Sequence, residues 1–175
     1  MLDLESVKNK GVMKMNKEIY DRESAVAYAR KWALGRNPDY MDYHGIGGDC
    51  ANFVSQCMYA GGAPQNYTPD TGWYYNTPND RAAAWTGVEY MYKFLTSNHK
   101  IGPKGRVIPL EEIQIGDVIQ LSYIKGLFSH SLFVIETGKI PTPENVLIAA
   151  HTDDSLDRPF STYHVREYRC LHITV

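Results

Sequence analysis

Gly47-Gly48-Asp49-Cys50-Ala51-Asn52-Phe53-Val54 is the stretch on which the reading of this chain turns. Two adjacent glycines allow a tight backbone turn, and Asp49 is a good N-cap for a helix starting at once after it. Phe53, Val54, Cys57 and Met58 then recur at helical spacing until Gly61 and Gly62 stop the helix. Cys50 falls in the first turn, where the helix dipole and unpaired amides favour a thiolate and can hold an oxyanion. Asp49 opposes ionisation by its charge, an effect blunted if the amides of Ala51 or Asn52 engage its carboxylate. Taken alone, the run fits a small buried cysteine beside a turn equally well.

The other cysteines sharpen the question. The chain has three, Cys50, Cys57 and Cys170, an odd number that argues against a closed disulfide framework. Cys50 and Cys57 would stand about 10 Å apart along one helix, beyond the roughly 7 Å that a disulfide spans. A free thiol at a helix start is left, and a nucleophilic thiol needs a base.

The second half of the sequence offers one. Ser129-His130-Ser131 begins an apolar strand, and a second strand, Asn145 to Ala150, runs into His151. A hairpin pairing Thr137 with Glu144 sets His130 opposite His151, with both rings on one face. A slip of one residue would send them to opposite faces. In the paired arrangement His130 takes the proton from Cys50 and returns it to the leaving amine, while His151 fixes the tautomer of His130. Asp153 or Asp154 could orient His130 instead. His44, Tyr43 and Tyr40, in the approach to Cys50, are candidate oxyanion donors. His99, His164 and His172 carry no motif.

Around these segments the pattern is helices first and strands afterwards. Asp21 opens a helix that buries Ala25, Tyr28, Ala29 and Trp32 and ends near Gly35, and a third helix covers roughly Ala84 to Ser97. Between the second and third helices, Ala63 to Ala82 is rich in turns and holds Trp73, Tyr74 and Tyr75; with Trp85 these aromatics are candidate walls of a substrate cleft. Strands are expected at Asp117 to Tyr123, Ser129 to Thr137, Asn145 to His151 and Glu167 to Val175. They are apolar on both faces, so helices cover one side of the sheet and something else the other. The fold class is α+β with a mostly antiparallel sheet. Residues 19–175 form one domain, and 1–18, with methionines at 1, 13 and 15, are expected to be a loose tail.

Composition narrows the function classes. The 175 residues suit a single core, and a net charge of -2 gives no reason to expect nucleic acid or an anionic membrane as partner. The longest aliphatic run, Val146 to Ala150, is far short of the roughly 20 residues of a membrane span. The charged N-terminus does not resemble a signal peptide, so the chain is expected to be cytosolic or exported by another route. No cofactor is called for.

Gly47 to Cys57, the closing Ala60-Gly61-Gly62, Trp73-Tyr74-Tyr75, Ala84-Trp85-Thr86, Ile115-Gly116-Asp117-Val118 and the His130-Ser131 and His151-Thr152 pairs together resemble the bacterial putative amidase domain family. That family is grouped with the NlpC-like cell-wall peptidases and CHAP amidases of the papain-like clan. Its usual form has Thr where this chain has Ala51. The resemblance implies a papain-like fold and a catalytic set of Cys50, His130 and a polar third residue, foremost His151. It also implies amide or peptide substrates, with peptidoglycan fragments as one candidate. An acyltransferase or deamidase using the same residues, a zinc site of Cys50, His130 and His151, and a non-catalytic glycan- or peptide-binding module are the alternatives.

Overall fold

The computed structural model describes residues 19–175; the expected N-terminal tail lies outside them. Asp21 caps the first helix, α1 (Arg22–Trp32), accepting from the Ser24 amide at 3.0 Å. Arg22 in the first turn fastens α1 to the sheet, donating to Asp117 Oδ1 at 2.7 Å and to the carbonyls of Ile115 and Ile173, each at 2.6 Å. The second helix, α2 (Cys50–Ala60), is buried from Cys50 through Met58. The expected third helix is two pieces, α3 (Ala83–Thr86) and α4 (Val88–Ser97), divided at Gly87. A side chain on Gly87 would come within 2.8 Å of Tyr90 and 3.1 Å of the Ala83 carbonyl. A two-stranded ribbon, β1 (Tyr75–Thr77) and β2 (Asp80–Arg81), precedes α3.

The sheet has six strands: β3 (Lys104–Ile108), β4 (Val118–Ile124), β5 (Leu127–Glu136), β6 (Leu147–Ala150), β7 (Ser155–Pro159) and β8 (Glu167–Thr174). They lie in the order β3-β8-β4-β5-β6-β7, each pair antiparallel. Alternation along β5 sends Phe133 and Ile135 into the core shared with α1, α2 and α4, and Leu132 and Val134 into a second core with Ile108, Leu110 and Phe160. The covering of the far face is therefore made of short 3-10 turns and loops. Each fully buried Leu, Ile or Phe in these layers contributes roughly 1.5–3 kcal/mol. The fold is α+β, as expected.

β3 and β7 were not expected. They are the two edges of the sheet, and their mixed burial hides the alternation that marks a strand.

Candidate active site

Cys50 is the first residue of α2, seated by Gly48 at φ +101° and by Asp49. Its side chain is only 6% exposed. Burial raises its pKa above the ordinary thiol value, and the Asp49 charge adds to the rise; the amides of Ser131, Ala51 and Cys50 itself pull the other way. Burial thus works against the preference for the thiolate expected at the helix start.

The Ser131 amide belongs to β5. The ladder between β5 and β6 shows its last pair at Phe133 and Ala149, and β6 stops at Ala150. The thiol thus meets the edge of β5 just past the end of its neighbour, one peptide bond from His130.

His130 is 7% exposed and lines a pocket of about 300 Å³ with Tyr123, Ser129, Thr152, Asp153 and Tyr163. Its ring centroid is 6.2 Å from that of Tyr163. Burial depresses its pKa to about 4, with Asp153 opposing and Arg158 reinforcing the drop. The imidazole is therefore neutral and free to accept a proton at neutral pH. Burial also raises the pKa of Tyr123 on the same pocket, Arg158 opposing and Asp153 and Cys50 adding to that rise.

His151 is elsewhere. It is 1% exposed and stacks on Phe53 of α2, ring centroids 4.1 Å apart. Nδ1 lies 2.6 Å from Asp49 Oδ2 and Nε2 lies 2.8 Å from the Trp32 carbonyl. The hairpin explains the divergence. Thr137 with Glu144 required partner numbers summing to a constant, whereas the ladder pairs Val134 with Ile148 and Phe133 with Ala149, one residue out of step. Ser131 turns its hydroxyl to Gln120, which reaches Val88 on the helical side; His130, its neighbour, faces the opposite way. The expected contact between the two imidazoles is thus corrected, and with it the expectation that His151 accepts a hydrogen bond from His130.

Asp49 does not cap the amides of Ala51 or Asn52, again unlike the expectation. Oδ1 accepts instead from the Tyr43 amide at 2.9 Å and from Asn52 Nδ2 at 2.8 Å. Its own amide donates to Thr152 Oγ1 at 3.0 Å.

With this geometry in view, the comparisons carry weight. The profile of the family described as "Putative amidase domain" matches residues 19–174. The chain belongs to the putative amidase domain family. The chain is also 38% identical over 146 residues to "Uncharacterized protein YhbB" of Bacillus subtilis (strain 168), an alignment covering 81% of this chain and 44% of that protein. The chain thus spans less than half the length of that curated relative. No solved structure matches the domain.

The remaining candidates within the amidase domain separate clearly. Trp73 and Trp85 are fully buried, their rings 4.6 Å apart, so neither lines a cleft. Trp85 Nε1 donates to Asn52 Oδ1 at 2.9 Å and Trp73 Nε1 to Ser55 Oγ at 3.0 Å. Both are core, drawn in by the polar residues of α2. Tyr74 is half-buried and packs on the exposed Tyr67, ring centroids 4.9 Å apart. Tyr43 is buried under the Arg81 guanidinium and spends its amide on Asp49. His44 is exposed and its amide bonds Asp42. Tyr40 stacks toward Trp85, centroids 6.0 Å apart. Asp153 pairs with Arg158 at 3.0 Å on the rim of the His130 pocket, and Asp154 pairs with Arg36 at 2.9 Å.

Thr152, Tyr123, Tyr163 and Arg158 were not singled out in the sequence. Only Thr152, next to His151, carried any local signal. A larger groove of about 480 Å³ between Arg106, Glu111, Lys139 and His172 is lined by no cysteine. Among the described residues no group of three or more His, Cys, Asp or Glu side chains is placed to hold a metal ion, and no helix is long and apolar enough to cross a membrane. A zinc site of Cys50, His130 and His151 would need the two rings to converge, and they face opposite sides of the sheet.

Proposed function

We propose that this domain is a papain-like cysteine hydrolase that cleaves an amide or peptide bond. Cys50 attacks the carbonyl carbon, its proton passing to the neutral His130, and the amide nitrogen leaves with that proton. The resulting thioester is then hydrolysed by a water from which His130 takes a proton, and the thiol is restored. The amides at the start of α2 and at Ser131 are the natural donors to the tetrahedral oxyanion.

The observation that carries the reading is that the Cys50 thiol reaches the strand that bears His130. Cys50 lies against the Ser131 amide past the end of β6, and the adjacent residue, His130, lines a pocket with Tyr123. In this reading the proton passes from the Cys50 thiol to His130 in step with attack, as in serine hydrolases. Membership of the putative amidase domain family supports the reaction class. Asp153, on the pocket rim, is the orienting candidate that faces the side of His130.

Simple peptides and peptidoglycan fragments incubated with the parent protein and with Cys50→Ala test this. Hydrolysis of at least one amide by the parent, lost by a factor of 10³ or more in Cys50→Ala, is the expected outcome, on the order of the loss when a nucleophile is removed. Equal hydrolysis by the two proteins would refute it.

A further inference from the structure

His151 and Asp49 form a unit that the reaction just described does not use. Both are 1% exposed. His151 faces an acceptor at each ring nitrogen, the Asp49 carboxylate at 2.6 Å and the Trp32 carbonyl at 2.8 Å. A neutral imidazole carries only one N–H, so it cannot satisfy both.

The turn that carries His151 is built to hold this contact. Thr152 and Asp153 have φ of +61° and +70°, the left-handed region that a β-branched residue rarely enters. The Thr152 hydroxyl, held there, accepts the Asp49 amide at 3.0 Å and crowds position 48, where a Cβ would come within 3.3 Å of it and φ is +101°. Two bonds, one to the side chain and one to the backbone of Asp49, tie the turn to the residue that precedes the nucleophile.

We propose that His151 acts on Asp49 and not on His130: the two form a buried clamp that fixes the start of α2 and keeps a bare carboxylate from standing beside the Cys50 thiol. His151 and Asp49 are positioning residues in this view. The proposal rests on Cys50 being the reacting nucleophile.

Other charges face this region. Arg36, from the segment after α1, brings Nε to 3.6 Å from Asp49 Oδ2 but is shared with Asp42 and Asp154. Tyr123 approaches from β4 and His130 from β5, the one protonated and the other neutral at pH 7. Removing His151 therefore leaves Asp49 with its neutral donors, Tyr43 and Asn52, and with only the shared, more distant Arg36 as counter-charge.

The test is the pH dependence of Cys50 alkylation by iodoacetamide, mapped by peptide mass in the full chain. His151→Gln should move the midpoint up by about one unit, a roughly tenfold slower reaction at neutral pH. Asp49→Asn should lower the midpoint by less than a unit, because His151 already holds the carboxylate in the parent and only its residual effect on the thiol is lost. Asp49→Asn combined with His151→Gln should restore the rate lost in His151→Gln.

An unmoved midpoint in His151→Gln, or a double variant no faster than His151→Gln, overturns the clamp. Should His151→Gln not fold, Asp49→Asn alone decides: a midpoint lowered by less than a unit supports the clamp, and one lowered by a unit or more shows that the carboxylate acted bare and overturns it. Absence of amide hydrolysis with this alkylation pattern intact would count against the hydrolase alone.

Discussion

His151 Nδ1 and Asp49 Oδ2 stand 2.6 Å apart at the buried junction of α1, α2 and the turn after β6. Removing one member of a buried, hydrogen-bonded pair leaves the other's charge unsolvated, at a cost of about 3–5 kcal/mol. His151→Ala should lose stability of that order. Asp49→Asn, whose amide fits the same partners, should lose roughly half as much or less. Urea denaturation of the two variants and the parent reads the difference.

Acid should find a second weak point at His130. Its pKa is about 4 in the folded chain against an ordinary 6.5. The folded value is the lower one, so the unfolded chain binds the proton first. Stability from this group is complete above pH 6.5, falls as the pH drops, and levels off below 4, a total of about 3 kcal/mol. His130→Gln should remove this portion of the acid slope, seen in denaturation midpoints measured from pH 7 to 4.

The same residue sets the pH–rate profile of hydrolysis. The acid limb of kcat/KM should fall near pH 4, where His130 becomes protonated, and the alkaline limb above the ordinary thiol value, because burial raises Cys50. A broad plateau across neutral pH is expected. An acid limb near 6.5 would indicate a solvated base at another position.

Trp85 ties the aromatic core to α2 through Asn52, which also holds Asp49. Trp85→Phe deletes one buried hydrogen bond and strands an acceptor, a loss of about 1–3 kcal/mol. Tyr67→Ala, on the exposed side of the Tyr67–Tyr74 contact, should change stability by no more than about 0.5 kcal/mol. Thermal unfolding of both separates core from surface aromatics.

Much of this layout was legible in the chain itself. Asp21 and Asp49 announced the starts of α1 and α2, Gly61 and Gly62 the end of α2, and the apolar runs around Val118, Phe133 and Leu171 the central strands. These signals are local. What failed was non-local. A hairpin register that passes through a bulge between Val134 and Glu136 leaves no mark in the residues, and one step decided on which face His130 fell. Whether Trp73 and Trp85 line a cleft or fill a core depends on Ser55 and Asn52 being ready to accept their N–H groups, which only the assembled helix reveals. The charge of Asp49, read as a liability for Cys50, is met from 102 residues away by His151.

The account stands or falls on where an acyl group lands. An activated ester or thioester mimic, quenched in acid and mapped by mass, should place the acyl group on Cys50 in the parent and in Cys57→Ala, and nowhere in Cys50→Ala. Cys57 and Cys170 are buried thiols whose pKa burial pushes up, Cys170 to about 12, so neither should compete. Acylation of Cys57 or Cys170, or amide hydrolysis persisting in Cys50→Ala, would contradict it.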